Sequence, residues 1–398
     1  MNRRNLFLCI LLLLFMTTGC WSKKELNELA IMSGVGIDKT EDGEFQLTAQ
    51  VILPSEIATQ TGGGNRTPVV IYKETGKTIF ETVRKLTKYS PRKLYWSHLR
   101  VIVFGEALAK EGIAKAIDFI SRDHEMRTDF YLLVAKGTSA EQILKVQTPL
   151  EKIPGMKVYK SLETSEKVWA PTKGTNLDEL ISNLSGEGRN PVLTGVLLKG
   201  DPSQGMELSN VERTDPSAKI QLDELAVFKK DRLVGYLNEE ESKGYNYIEG
   251  NVKSTIVNVP CNSGIAAIEI IRTDTKVKGK YNNGKPSIQI ETKLQGNVGE
   301  VECDLEFTNP KIMSELETKV KQDIQEKMEV AVKKTQTEFQ SDIFGFGDKI
   351  EQADPKAWKN LQKKWEKEFP DLDVQIKVTA ELEHTGTTSE SVSKQKQE

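Results

Sequence analysis

The 398-residue chain is poor in the residues from which most active sites are assembled. It has three histidines, His98, His124 and His384, and none stands beside a second His or a Cys at metal-ligand spacing. His98 opens an apolar stretch and His124 sits in the charged "RDHEMR" turn, so structural or solvated roles suit both better than acid–base work. There is no nucleophile elbow, no Walker loop and no zinc-protease helix. The Gly-rich "TGGGN" lacks the Lys and the strand-to-helix setting of a phosphate cradle and reads as a loop. Carboxylates are plentiful, but nothing singles out a pair for glycoside hydrolysis. The chain also lacks a charge excess, with a formal balance of -3, which leaves nucleic acid without an electrostatic footing. No catalytic, cofactor-binding or metal-ligating set is expected.

Long apolar runs are scarce as well. The one candidate is the leader, where Arg3 and Arg4 precede an 11-residue core from Leu6 to Met16. A spanning helix needs roughly 20 apolar residues, so this run is too short to cross a bilayer and reads as a secretory signal. The remainder, with 37% hydrophobic and 28% charged residues over the whole chain, is ordinary globular material.

Four cysteines complete the scarcities. Cys9 lies inside the leader and leaves with it, so three remain in an exported chain. Cys261 and Cys303 either pair in an oxidising compartment or stay as small buried hydrophobes, and their spacing does not decide. Cys20 closes "TTGC" at the leader's exit. That junction resembles the lipobox of bacterial lipoproteins, in which a diacylglyceryl group is placed on the thiol and the leader is cut just before it. Gly19 would then precede the cut and Cys20 would become the lipid-bearing N-terminus. Thr17 departs from the pattern, where Leu is commonest. Each buried methylene contributes about 0.8 kcal/mol, and stable anchoring takes two signals, which two acyl chains on one cysteine provide. The competing reading is a plain secretory signal with an incidental cysteine.

Beyond the leader, residues 20–200 read as an N-terminal region of two α/β subdomains. "SKKELNELAIMSG" has the pattern of a helix capped by Ser22 and Glu25 and ended by Gly34 and Gly36. A hairpin turning at Asp42-Gly43 follows, with Phe45, Leu47, Ala49 and Val51 alternating. Helical spacing from Thr78 to Tyr89, the strand "HLRVIVFG", one helix over "EALAKEGIAKAIDFISRD", the strand "DFYLLVAKG", a helix capped by Ser139, a helix through Leu177 to Leu184 and the strand "NPVLTGVLL" give strand–helix alternation. Residues 201–218 are rich in turn formers and read as a linker.

Residues 219–384 have another texture. "LDELAVFKKDRLVGYL" is a hairpin about Lys230-Asp231. After a short helical piece, "VKSTIVNVP", "IAAIEIIRT", "TKVKGKY" and "SIQIETKLQG" read as an antiparallel meander with a tight turn at "NNGK". Asn309-Pro310 opens a long helix whose Ile312, Leu316, Val320, Ile324 and Met328 make one stripe fit to pack on a sheet. Trp358, Leu361, Trp365 and Phe369 mark another helix, and Val374, Ile376 and Val378 a last strand. Residues 385–398 are polar and read as a disordered tail. The expected class is mixed α/β (α+β) in two to three domains, with an antiparallel sheet and long helices in the C-terminal half.

Four stretches in order carry a resemblance: "GCWSKKELNELAIMSGVGIDK"; "YWSHLRVIVFGEALAKEGI" with "RDHEMR"; "LDELAVFKKDRLVGYL"; and "DIFGFGDKI" followed by the Trp358–Phe369 helix and a strand ending near "HTG". Together they resemble the Ger(x)C family, the lipoprotein C subunits of spore germinant receptors, over essentially the whole chain. The resemblance implies three mixed α/β domains, no enzymatic activity, lipidation at Cys20, and assembly with membrane-embedded A and B subunits into a receptor for small nutrients at the outer surface of the cell or spore inner membrane. A lipid-anchored solute-binding protein of a transporter shares the leader and anchor, but would need two lobes of parallel βαβ units, which the C-terminal meander disfavours.

Overall fold

The computed structural model describes residues 25–57, 66–262, 264–303, 305 and 309–384. Two sheets organise them. The first is built from β1 (Leu29–Lys39), β2 (Phe45–Ile52), β3 (Val69–Gly76), β4 (Lys93–Tyr95), β5 (Val101–Gly105), β6 (Tyr131–Ala135), β7 (Val192–Gly200), β8 (Ala218–Lys229) and β9 (Arg232–Tyr236). Its order is β3-β2-β1-β5-β6-β7-β8-β9, with β4 also paired to β1. The centre from β1 through β7 is parallel and both flanks are antiparallel.

Helices cover both faces of that parallel centre, so its strands are apolar on both sides. Ile102, Phe104, Leu132 and Val134 point to one core, which the helices Ile79–Leu86, Ala114–Arg122 and Leu177–Ser185 close. Val101, Val103, Leu133 and Ala135 point to the other, closed by Ala140–Lys145 and Pro154–Val168. Ser139 caps the first of these two through the Gln142 amide, as its sequence requires.

Burial on both faces explains the main departure from the sequence reading. "ELNELAIMSG" was expected as helix, but only Leu26–Glu28 form a single 3-10 turn, and the chain from Leu29 is strand β1. A strand with two buried faces loses its alternation and then cannot be told from a buried helix by period. Gly34 and Gly36 do not end a helix. They sit within β1, where an added Cβ would meet Leu144 Cδ2 at 2.8 Å and Ala140 Cβ at 3.0 Å, so the Ala140–Lys145 helix can lie directly on the strand. Ser22 lies outside the described residues. The single helix expected over "EALAKEGIAKAIDFISRD" is two, Glu106–Glu111 and Ala114–Arg122, separated at Gly112, whose φ is 137°.

Residues 201–218, expected as a linker, instead close a hairpin, because β7 and β8 pair from Val192↔Val227 to Gly200↔Ala218. Buried Asn210 fastens the excursion, donating to Gln147 O and Ala218 O and accepting from the Ala218 amide. A long surface loop and a linker share the same turn-rich composition, which is why sequence does not separate them. The hairpin β8–β9 therefore belongs to the first sheet.

The second sheet has the order β10 (Thr255–Cys261), β11 (Gly264–Asn282), β12 (Lys285–Val301), β13 (Asp373–His384). The meander is antiparallel as expected, but "IAAIEIIRT" and "TKVKGKY" are one 19-residue strand, bent by two irregularities in its pairing. β13 joins β12 in parallel, an orientation that the intervening helices make possible. The long helix Pro310–Lys334, capped by Asn309, buries Leu316, Val320, Ile324 and Met328 against this sheet, with Ile312 half-buried. Each such side chain, fully buried, contributes about 1.5–3 kcal/mol. The opposite face, with Lys276, Lys278, Glu291 and Lys377, is solvated. The aromatic helix expected over Trp358–Phe369 is a series of short turns, yet all four residues are buried in the core of this half. The tail from 385 lies outside the described residues.

Candidate functional site: the anchor end and the seam between the sheets

Gly19 and Cys20, the residues expected to be cut and lipidated, lie outside the described residues. What the fold does place is the chain just after them. Leu29 pairs with Lys93 at the start of the first sheet. The nine residues from Cys20 to Leu29 reach at most about 32 Å when extended. A group attached at Cys20 would therefore tether the end of the sheet that carries β4 and the start of β1. Among the described residues, no helix is long and apolar enough to cross a membrane.

His98 and His124 are exposed, and His98 lies edge-on to Tyr95 at 5.8 Å. Among the described residues no three His, Cys, Asp or Glu side chains are placed to hold a metal ion. Among the described residues, two concavities stand out. One, of about 1090 Å³, lies between the helices Ile79–Leu86 and Ala114–Arg122, with Phe80, Val83, Trp96 and Phe119 along it and Lys93 and Arg122 at its rim. The other, of about 340 Å³, is polar and opens where the two sheets meet, between Lys173, Glu179 and Asn246.

That meeting line is bonded from both sides. The helix Glu239–Glu249 is buried along most of its length between the two halves. Its Asn246 amide donates to Ala170 O and Thr172 O. Lys173 donates to Tyr245 OH at 3.0 Å and pairs with Glu179 at 2.6 Å. Burial opposes the Lys173 charge, but Tyr245, Glu179 and Glu249 outweigh it and hold its pKa above the ordinary lysine range.

The "DIFGFGDKI" segment supplies the second clamp. Asp342 is fully buried and accepts from the amides of Phe344, Phe346 and Gly347 and from Trp365 Nε1, at 2.9–3.2 Å. Desolvation dominates over these donors and pushes its carboxyl up to about 6. The loop so shaped reaches the first half at three points. Asp342 O accepts from the Asn190 amide, Ser341 Oγ donates to Phe228 O, and Phe344 O accepts from Arg189. Arg189 also forks onto Glu249 at 3.0 and 3.3 Å. Neither Arg189 nor Asp342 was singled out from sequence. The only signal was the Gly-rich, aromatic motif itself, whose position beside a partner loop is a tertiary fact.

Cys261 and Cys303, left open by sequence, are joined as a disulfide with Cα atoms 6.3 Å apart, inside the usual range. The bond ties the end of β10 to the segment before the long helix.

Residues 22–197 match the family model described as "Spore germination protein N-terminal domain", and residues 223–386 match "Spore germination B3/ GerAC like, C-terminal". The chain belongs to the Ger(x)C family of spore germination proteins. It is 33% identical over 402 residues to Spore germination protein KC of Bacillus subtilis (strain 168), covering 98% of each chain. It is 25% identical to Putative spore germination protein YfkR of the same organism, over 98% of this chain and 100% of that one. The crystal structure of the GerBC protein superposes with a TM-score of 0.55 at 21% identity, covering 88% of this chain and 96% of that one, a likeness of fold. The C-terminal family match starts inside β8, a strand of the first sheet, so the sheet runs across the gap between the two family regions.

Proposed function

We propose that this Ger(x)C chain is a non-enzymatic, lipid-anchored subunit of a spore germinant receptor, attached through Cys20 after cleavage behind Gly19. In this reading it assembles with membrane-embedded A and B subunits at the outer surface of the cell or spore inner membrane, and serves germination in response to small nutrients. The observation that carries it is family membership over both halves of the chain together with the "TTGC" junction at the end of an 11-residue apolar leader. A body clamped across its seam and tethered at one edge suits a part that holds others in place. The transporter reading asks for two parallel βαβ lobes, whereas the second sheet here is an antiparallel meander with one added parallel strand.

The test is a Cys20→Ala chain expressed in place of the native one. The variant is expected in the soluble fraction or lost, with nutrient-triggered germination slowed while the wild type stays with the membrane. Equal membrane retention and equal germination in both strains would sink the anchor and its function together.

A further inference from the structure

The edge that the anchor would tether has a surface of its own. Between Arg84 and Arg100 the chain carries six lysines and arginines and no acid, in a protein whose formal balance is -3. This run covers the end of the helix Ile79–Leu86, the turn after it and β4, which pairs with the first residues of β1. Some of its charge is spent internally, since Lys85 pairs with Glu81, Lys93 with Glu125, and Arg100 approaches Asp129 at 4.0 Å. Lys88 and Arg92 are exposed and form no ion pair with a described residue. Arg84, also exposed, lies over the Phe80 ring at 5.0 Å. Two aromatic rings stand among these cations, Tyr89 at 60% and Phe80 at 55% exposure. Of the neighbouring acids, Glu125 is held by Lys93, Asp118 by Arg122 and Asp129 by Arg127 at 3.3 Å, and Asp123 accepts from the Glu125 amide, which leaves Lys88, Arg92 and Arg84 as the outward charge.

We propose that this face, with Lys88, Arg92 and Arg84 around Tyr89 and Phe80, rests on an anionic phospholipid surface. The proposal builds on the lipid-anchor reading and adds to it a second, electrostatic contact that fixes which edge of the body faces the bilayer. The chemistry fits on three counts. Basic side chains near an anionic leaflet are attracted to it, each by roughly a fivefold factor in partitioning. Tyr rings sit well at the headgroup level, with an apolar body and a polar tip. The tether from Cys20 to Leu29 is short enough to keep this edge within about 32 Å of the lipid. The mixed-sign face of the second sheet, where Lys278 and Lys377 alternate with Glu291 and Glu381, offers no such single-sign surface.

The experiment uses the full chain carrying its native lipid, reconstituted into phosphatidylcholine vesicles with and without phosphatidylglycerol. Amide hydrogen exchange across residues 84–93 is followed in both. Exchange is expected to slow by roughly tenfold or more with phosphatidylglycerol. High salt and the double variant Lys88→Glu/Arg92→Glu should abolish the slowing. The variant's two sites are exposed, so the remaining amides report that it stays folded. Equal exchange in the two vesicle types, or slowing that survives the double variant, overturns the proposal. A chain that fails to float with neutral vesicles sinks the anchor reading instead. The face then stands if phosphatidylglycerol alone recruits the wild type but not the double variant, and falls if it recruits neither or both.

Discussion

The two sheets of this protein solve burial in opposite ways. The first is covered by helices on both faces, and its central strands, such as "VIVFG" of β5, are buried at every residue. The second is covered on one face, and β11 alternates buried or half-buried with exposed residues along most of its length. A doubly covered sheet makes a rigid body with little surface for anything else. A singly covered one leaves a charged face whose residues are free to change. What joins them is a seam in which buried charges and amides are set beside apolar packing, since Val192, Leu225 and Val227 of the first sheet share one core with Tyr245 and Phe344, and among those polar groups each lost partner strands another.

This contrast is open to attack. Asp342→Ala would leave the Phe344, Phe346 and Gly347 amides and the Trp365 indole N–H without their acceptor, and should cost about 4 kcal/mol or more in chemical denaturation. Leu133→Ala in the doubly covered sheet should cost about 2–5 kcal/mol by cavity formation, read by the same denaturation. Breaking the Cys261–Cys303 bond with paired serines should cost about 2–4 kcal/mol, seen as a lower thermal midpoint that reductant no longer shifts. Asp342 also makes the seam sensitive to pH. Its carboxyl is raised from 3.8 to about 6 in the folded chain, so the folded form holds a proton that the unfolded one releases. The stability linked to this proton is fully present below 3.8 and is lost as pH rises through about 6. A denaturation series across that window should show the decline in wild type and a flatter profile in Asp342→Asn. Lys278→Ala on the solvated face should move stability by no more than about 0.5 kcal/mol, and a larger loss would mean that this face is covered after all.

The same contrast decides how much of the fold could be read from sequence. Where one face is wet, period carries the information: the meander, the turn at Asn283-Gly284 and the stripe from Leu316 to Met328 are all legible. Where both faces are dry, period vanishes, and the first part of β1 reads as a helix because Leu29, Ala30 and Met32 suit either structure, whereas "GIDK" at its end reads as the hairpin strand it is. Several elements, among them β3, β4 and the helices Pro154–Val168 and Phe346–Ala353, carry too little pattern to be recognised. The extent of the first sheet was hidden for another reason, since a turn-rich loop inside a hairpin and a linker between domains have the same composition. The seam was the least legible part. Arg189 and Glu249 are 60 positions apart, and only the folded chain makes them a pair. The cysteines divide in the same way. Cys261 and Cys303 needed the fold to be joined, whereas the role proposed for Cys20 rests only on the local "TTGC" and the leader before it.

In the proposed reading, this body hangs from a lipid on Cys20. Mass spectrometry of the N-terminal peptide from chain extracted out of native membranes tests it directly. The expected peptide begins at Cys20 and carries a diacylglyceryl group on the thiol. A peptide that retains the leader, or begins elsewhere while Cys20 keeps a free thiol, would contradict it.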